Sequence, residues 1–402
     1  MASWSKRLFL AGLVLLVGYV LLVQVLRWIA FGEEERAALA LMEVPLNAPA
    51  GDSGFKYLAY SDLQVPEDAL DETLATDVAA FAKWHAGYGE AMAKAGGNMT
   101  PPEFPSQTKF SKRAAVKAPD AACGLREDDC LEKLRGHETE VREWLAADSI
   151  RLDMAERALA ADHLLNPFAY NIGAPLPSFQ QLTLPVNHIA LQALDGDVAG
   201  ALPRACYLLG ASRRHLRNDG MLLDKMVFAS FVESAAGLLL SVREADPSLP
   251  LPDTCTAALA PVQIQDFQVC GALRTEFAMM SELSRQMHEG YSSWRLPSRW
   301  VLSSDKLQRG WTATGFAPMC TTEGQAQIAR GEIPRIEDRE YSPASLDFWA
   351  APTSHILVAI ALPAYGGYQQ RLLDHAAGLR KKLAAITELG DGGNQVLAEA
   401  VR

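Results

Sequence analysis

The feature that most constrains this chain is an apolar run near its N-terminus. From residue 8 to residue 26 only Gln24 is clearly polar, and the apolar character continues to Phe31. At a rise of about 1.5 Å per residue, about 20 helical residues cross the ~30 Å hydrocarbon core of a bilayer. The run therefore predicts a transmembrane helix over residues 8–31.

Charged and aromatic residues at the two ends of the run predict its orientation. Trp4 and Trp28 stand at the ends, where interfacial aromatic residues are enriched. Two basic residues precede the run and three acidic residues follow it: Lys6, Arg7, Glu33, Glu34 and Glu35. The positive-inside bias predicts that residues 1–7 are cytoplasmic and that the chain from about residue 32 lies outside. In a Gram-negative bacterium, that compartment is the periplasm.

A cleaved signal peptide and a buried core helix are the alternatives to a retained span. Signal peptides have an apolar region of about 7–15 residues followed by a small-x-small cleavage site. This run is longer, and only Ala-Phe-Gly at 30–32 resembles such a site. A core helix would be amphipathic, and the run shows no such pattern. We therefore expect a signal anchor and a single-pass protein of the inner membrane.

A second apolar segment, residues 221–242, also has the length of a span. It contains Asp224, Lys225 and Glu233, and each such charge costs about 2.5–3.5 kcal/mol near the centre of a bilayer. Its polar positions recur every three to four residues, so they form one narrow stripe along a helix. The segment is predicted to be a core helix of the folded domain.

The rest of the chain has helical periodicity, and no segment of any length alternates strictly between apolar and polar residues. We expect an all-α fold with helix and irregular loop in residues 32–127, an α-helical periplasmic domain in 128–389 and a flexible tail in 390–402. The stretch LDGDVAGAL (194–202) resembles the turn of a helical-hairpin repeat. Hairpin-like packing of an irregular kind is therefore expected.

Individual helices are predicted from the same periodicity and from Pro and Gly positions. They lie near residues 33–43, 66–94, 128–162, 184–195, 197–217 and 220–244, with two more in 253–289 and one over 354–389 that is kinked at Pro363. Residues 95–124 are predicted to be a long loop, and residues 290–320 are the least helical part of the domain.

Three stretches carry a resemblance to known proteins: YSDLQVPEDALDETLATDVAAF (60–81), DGMLLDKMVFASFVESAAGLLLSV (219–242) and SHILVAIALPAYGGYQQRLLDHAAGL (354–379). With the N-terminal run, they resemble uncharacterised single-pass envelope proteins of Gram-negative bacteria. The shared features are packing patterns, with no catalytic signature among them. The resemblance implies an anchored, mostly α-helical periplasmic protein, and it implies no activity, cofactor or site residue.

Motifs that would carry catalysis are scarce. The eight histidines include no His-Glu-x-x-His pair or other close metal-ligand spacing. Ser303 and Lys306 form a Ser-x-x-Lys match, but the Ser-Asp-Asn and Lys-Thr-Gly elements of penicillin-recognising enzymes are missing. Acidic pairs in 67–72 and 336–340 would suit a cell-wall hydrolase if they faced one cleft. No catalytic, metal-binding or cofactor-binding residue is predicted.

The segment 290–320 is the candidate for a partner surface. It is rich in Trp and Arg, which protein interfaces concentrate. The alternative is that the rings cap the helical core. The candidate residues are Trp294, Arg295, Arg299, Trp300, Arg309 and Trp311. Nucleic acid is not an expected partner, because a net charge of −11 repels phosphate.

The six cysteines suit disulfides if the domain lies in the oxidising periplasm. Cys123 and Cys130 enclose GLREDD, and we expect them to form a structural disulfide in place of a metal or redox site. Cys255 and Cys270 flank an expected helix pair and are predicted to pair as well. Cys206 is interpreted as a buried thiol that would pair with Cys320 only if the Trp-rich segment packed over its helix.

Taken together, these features predict a non-enzymatic binding, scaffolding or envelope-assembly component. Its partners would be the lipid bilayer, through residues 8–31, and a periplasmic protein. A cell-wall hydrolase or other envelope enzyme is the first alternative. An immunity-type inhibitor of a periplasmic toxin is the second.

Overall fold

The computed structural model describes residues 2–45, 50–88, 91, 103–127, 129–171, 173–290, 301–336 and 342–390. Within these ranges the chain forms α-helices and short 3-10 turns and contains no β-strand, which confirms the predicted all-α class. Two isolated bridges join loops, one between Ser53 and His163 and one between Leu63 and Lys112.

The helices are numbered in chain order. The first part of the chain forms α1 (Ala2–Ile29), α2 (Glu33–Met42), α3 (Phe55–Ala59), α4 (Leu70–Ala86) and α5 (Pro105–Lys109). The middle part forms α6 (Cys130–Leu134), α7 (Glu138–Ala147), α8 (Ser149–Ala160), α9 (Thr183–Leu194), α10 (Val198–Leu216) and α11 (Leu222–Ala245). The last part forms α12 (Cys255–Ala258), α13 (Cys270–Gly290), α14 (Asp305–Phe316), α15 (Thr322–Ala329), α16 (Leu346–Ala350), α17 (Pro352–Ala361) and α18 (Tyr368–Gly390).

α1 is the predicted N-terminal apolar helix, and most of it stands outside the fold. Its segment Lys6–Ile29 is long and apolar enough to cross a membrane, and only 6% of the most apolar stretch of this segment is buried. Most side chains from residue 8 to residue 22 are exposed. Val23, at 0% exposure, marks the point where the helix meets the domain.

α11 has the length and hydropathy of a membrane-spanning helix, but 72% of its most apolar stretch is buried in the protein. It packs against α10 and α18 at the centre of the molecule. Its polar stripe meets α18, where Glu233 Oε2 lies 2.7 Å from His375 Nδ1 and Glu233 Oε1 lies 3.6 Å from Lys382 Nζ. The segment is therefore the core helix that the sequence predicts.

The main hydrophobic core draws on residues from Phe31 to Ile386. Met42 of α2 and Leu58 of α3 belong to it together with the helices that follow residue 128. The irregular region after α1 thus packs on the same core as the later helices.

The segment directly after α1 is held on α14. α2 packs along α14, and a Cβ at Gly310 would lie 3.0 Å from Cε2 of Phe31 and 3.1 Å from Cβ of Glu35. The absence of a side chain at this glycine therefore permits the close approach. Lys306 adds a cation–π contact, with its ammonium 3.9 Å from the centre of the Phe31 ring.

The predicted helix over 128–162 is wrong as a single element. It forms α6, α7 and α8, with Gly136 at φ +84° between the first two. Glycine adopts this left-handed conformation without a steric penalty, so it ends the helix there. Asp148 separates α7 from α8. The apolar period continues across both joints, which is why the sequence pattern concealed them.

Two other segments differ from their predicted outlines. α14 forms a regular helix inside 290–320, and the Ser304 hydroxyl caps it by accepting from the Leu307 N–H at 3.3 Å. The predicted helix over 66–94 starts as a 3-10 turn over Glu67–Ala69 and continues as α4 to Ala86, and its residues 89, 90 and 92–94 lie outside the described residues. The predicted interruption at Pro363 is confirmed, because a 3-10 turn over Leu362–Tyr365 separates α17 from α18. Residues 391–402 of the predicted tail lie outside the described residues.

Candidate functional site

A groove crosses α7, α8, α9 and α10, in the region that the sequence marks as a helical hairpin. Two adjoining depressions meet at Arg204. The turn between α9 and α10 contains Gly196 at φ +90°, and the Asp197 carboxylate caps α10 by accepting from the Gly200 N–H at 3.0 Å. This capped turn fixes the position of α10 relative to α9, and the groove follows from their packing.

The groove has an apolar part and a charged part. Near α8 the groove is lined by Pro185, Ile189 and Leu208, which are buried, and by Tyr207, which is 46% exposed. The charged residues carry both signs and come from α7, α8, α10 and the turn between α9 and α10: Arg142, Asp153, Glu156, Arg157, Asp195, Asp197 and Arg204.

Arg204 is the centre of a polar network across the groove. Its Nη2 donates to Glu156 Oε1 at 2.7 Å and lies 2.9 Å from Nδ1 of His188. Its Nη1 donates to Gln192 Oε1 at 3.0 Å, and Gln192 Nε2 donates to Asp197 Oδ2 at 2.7 Å. The network joins α8, α9 and the start of α10.

The Glu156 carboxyl stays ionised in this network. Its pKa is lowered first by its interaction with His188, whose Nδ1 lies 3.7 Å from Glu156 Oε1, and then by the charge of Arg204, while partial burial opposes the shift. The side chains of Arg204 and Glu156 remain 33% and 44% exposed. Half-exposed ion pairs contribute little to stability, so separating this pair would cost little free energy.

A second cluster lies at the N-terminus of α11 and consists of two buried carboxyls. Asp224 Oδ2 accepts from the Met221 N–H and Glu276 Oε1 accepts from the Leu222 N–H, both at 3.1 Å. The Tyr365 hydroxyl donates to Glu276 Oε2 at 3.3 Å. These bonds satisfy backbone N–H groups that the first turn of a helix leaves unpaired.

Burial shifts both carboxyls toward their neutral forms. It raises the pKa of Asp224 to about 7, with a further contribution from the charge of Glu276. It also raises the pKa of Glu276. Glu276 lines a small pocket with Tyr170, Asn171 and Met279. A carboxyl with a raised pKa beside a pocket has the environment of a general acid.

The sequence-predicted partner surface is only partly described. Trp294, Arg295, Arg299 and Trp300 lie outside the described residues. Arg309, on α14, forms an ion pair with Glu43 and lies 3.7 Å from Asp305 Oδ2. Trp311, also on α14, is 1% exposed and its ring centre lies 5.7 Å from that of His355. The structure thus places Trp311 in the core, the position that the alternative interpretation expects.

The six cysteines form three disulfides: Cys123–Cys130, Cys206–Cys255 and Cys270–Cys320. The expected Cys123–Cys130 pair is confirmed, and Cys255 and Cys270 are also bonded. Their predicted pairing with each other is wrong, because α12 packs against α10 and brings Cys255 to Cys206. Cys206 is therefore not a free thiol. Cys270 begins α13, which packs against α14, and Cys320 lies just after α14.

The first disulfide closes a loop that is bound to the core. Asn187, fully buried on α9, accepts from the Cys123 N–H at 2.8 Å and donates to the Cys123 carbonyl at 3.0 Å. The Glu127 carboxylate accepts from Lys133 at 2.8 Å and from the Gly124 N–H at 3.3 Å. The acid between the cysteines therefore stabilises the loop itself.

The Ser-x-x-Lys match at Ser303 and Lys306 occupies a structural position, and residues 337–340 of the second acidic motif lie outside the described residues. The Lys306 ammonium lies over Phe31, and the carbonyl of Ser303 accepts from Arg27 at 2.6 Å. Within the described part of the chain, no group of three or more His, Cys, Asp and Glu residues could hold a metal ion.

The groove is not evident from the amino-acid sequence. Its signal is faint: Arg204 and Tyr207 interrupt the apolar pattern of α10 at a spacing of three, which places them on one helix face. Which helices face them depends on tertiary packing. Comparisons with protein-family models, curated proteins and solved structures gave no match to this chain.

Proposed function

We propose that this protein is a single-pass inner-membrane protein whose α-helical periplasmic domain is a binding or scaffolding component of the cell envelope. In this proposal α1 is the anchor. One observation carries it: α1 exposes apolar side chains along most of its length, while its last turn is bound to the domain.

The bond between anchor and domain is direct. Arg27 Nε donates to the carbonyl of Ala350 at 2.9 Å, and Arg27 Nη2 donates to the carbonyl of Ser303 at 2.6 Å. α2 begins at Glu33, a few residues after α1 ends at Ile29, and packs on α14. With no long linker, the domain would stay next to the membrane surface, where a scaffold for other envelope proteins is useful.

The three disulfides support the periplasmic side of this assignment. Disulfides form and persist in oxidising compartments and are rare in the cytosol. The charge pattern favours the same orientation, with Lys6 and Arg7 before the apolar run and acidic residues after it.

The groove supports a binding role. Its exposed Tyr207, its apolar floor and its charges of both signs would accept a polypeptide segment that has apolar side chains and at least one charged group. Tyrosine and arginine are frequent in the energetic centres of protein interfaces. A periplasmic protein is therefore the partner that we propose.

A crosslinking experiment tests the binding role. Full-length protein is crosslinked in intact cells, solubilised from membranes and affinity-purified, and its co-purifying proteins are quantified. We expect Tyr207→Ala to reduce recovery of a specific partner by roughly tenfold, since truncating an interface centre costs more than about 1 kcal/mol and often 2. The matched control is Leu223→Ala, an exposed residue of α11 outside the groove. Equal recovery from the two variants would contradict the proposed groove.

The carboxyl cluster favours an envelope hydrolase as a second candidate. Glu276 combines a raised pKa with a position beside a pocket, which a general acid requires. Release of soluble fragments from peptidoglycan by the wild-type protein, and its loss in Glu276→Gln, would favour this function over binding.

A further inference from the structure

We propose that α16 and the adjoining Leu302 rest in the outer interfacial layer of the phospholipid bilayer and form a second lipid contact beside α1. The inference rests on the proposed membrane insertion of α1. The juxtamembrane patch is defined here as Trp28, Leu302, Leu346 and Trp349.

The patch surrounds the point where α1 joins the domain. Arg27 donates to the carbonyls of Ser303 and Ala350. Trp28 follows Arg27 in the chain, Leu302 precedes Ser303, and Trp349 precedes Ala350. Leu346 begins the same short helix as Trp349, and that helix packs against α1.

The four side chains are large, apolar and open to the surroundings. Their exposed fractions are 81% for Trp28, 62% for Leu346, 49% for Trp349 and 44% for Leu302. Contiguous exposed apolar residues on a soluble surface are unfavourable and mark a contact with a partner or a membrane. Trp28 belongs to α1, whose apolar side chains are exposed along most of its length, and α16 packs against α1, so lipid is the occupant that explains both exposed sets.

The length of α1 places the patch at the right depth. About 20 residues at about 1.5 Å each cross a ~30 Å hydrocarbon core, so a span that starts at Leu8 ends close to Arg27. The domain already covers Val23, one turn earlier. α16, bound to Arg27 through Ala350, therefore lies where hydrocarbon gives way to lipid headgroups.

The chemistry of the patch also fits this layer. Tryptophan is enriched at membrane–water interfaces, and short apolar faces bury about 5–10 Å into the headgroup and acyl boundary. Two basic side chains lie near the patch. Arg27 donates two N–H groups to backbone carbonyls, and the ammonium of Lys306 lies over the Phe31 ring. Asp347 is the acidic residue of α16 and is only partly exposed.

Photocrosslinking in native membranes tests this contact on the full-length chain. The photoreactive amino acid p-benzoylphenylalanine replaces Trp349 or, in a second variant, Leu346, and adducts with radiolabelled phospholipid are measured. Leu15, in the middle of α1, is the position that reports on the anchor, and Tyr207, an exposed aromatic residue in the groove, is the negative control. We expect phospholipid adducts at 15, 346 and 349 and none above background at 207.

The possible failures are distinguishable. Lipid adducts at 15, with none at 346 and 349 or with protein adducts there, would overturn the second contact and leave the anchor in place. No lipid adduct at 15 would overturn the proposed insertion of α1 and the inference with it. Equal adducts at 207 would also overturn the inference, because the lipid contact would then not be specific to the patch.

Discussion

Burial of Asp224 makes the stability of the domain depend on pH. The pKa of this carboxyl is about 7 in the folded protein against 3.8 for the ordinary side chain. The folded state therefore binds the proton more tightly than the unfolded state, so the free energy of unfolding falls as pH rises between these values. The stabilising contribution is complete below about pH 4 and is lost as pH rises through about 7.

His215 acts in the opposite direction over an overlapping range. Burial lowers its pKa from 6.5 to about 4. The neutral imidazole is favoured in the folded state, so its contribution is complete above pH 6.5 and is lost as pH falls toward 4. The pH profile of the wild-type free energy of unfolding would contain both effects. Comparing the wild type with a variant that lacks the Asp224 carboxyl separates them.

We predict that Asp224→Asn becomes more stable relative to the wild type as pH rises from 4 to 7. Each unit of pKa difference is worth about 1.4 kcal/mol, so the relative gain should be on the order of several kcal/mol. Chemical denaturation of the full-length chain in detergent at several pH values measures it. Asp253→Asn, at an exposed carboxyl, is the control and should show little change. A flat difference for Asp224→Asn would mean that this carboxyl is not held neutral by burial.

Among the elements, helices with clear punctuation were predictable. α9, α10 and α11 begin and end within about two residues of the predicted bounds, because Gly196 and Asp197 interrupt the apolar period between the first two. The joints at Gly136 and Asp148 were not predictable in the same way, since the apolar residues keep one face across them. Disulfide pairing beyond Cys123–Cys130 depends on which helices pack together, and local sequence does not contain that information.

The disulfides should differ in their effect on stability. Cys270–Cys320 closes a separation of 50 residues, and Cys123–Cys130 closes one of 7. Loop-closure entropy grows with loop length. We therefore predict that replacing both cysteines by alanine lowers the free energy of unfolding by about 4 kcal/mol for Cys270–Cys320 and by about 2–3 kcal/mol for Cys123–Cys130. Denaturant midpoints of the two double variants measure the difference.

The short-loop variant serves as the matched control, because both changes remove a buried disulfide and leave two alanines. A larger loss from the Cys123–Cys130 pair would show that loop-closure entropy does not set the order of the two effects.

The N-terminal apolar run forms a helix that stands mostly outside the fold and joins the domain through its last turn. Its apolar character was evident in the sequence, whereas its attachment was not: Arg27 binds Ser303 and Ala350, which are more than 270 positions away. The groove at Arg204 was not evident in the sequence for the same reason, because its side chains meet only when helices α7 to α10 have packed together. Composition and periodicity thus predict the class of fold, and the sites follow from long-range packing.

In the proposed arrangement, α1 anchors a domain that lies on the oxidising side of the membrane. The most direct measurement is peptide mapping of the full-length protein after free thiols are alkylated at cell lysis and the membranes are washed with carbonate. We predict that the protein stays in the washed membranes with Cys123–Cys130, Cys206–Cys255 and Cys270–Cys320 joined and with no alkylated cysteine. Recovery in the soluble fraction with alkylated cysteines would contradict the account.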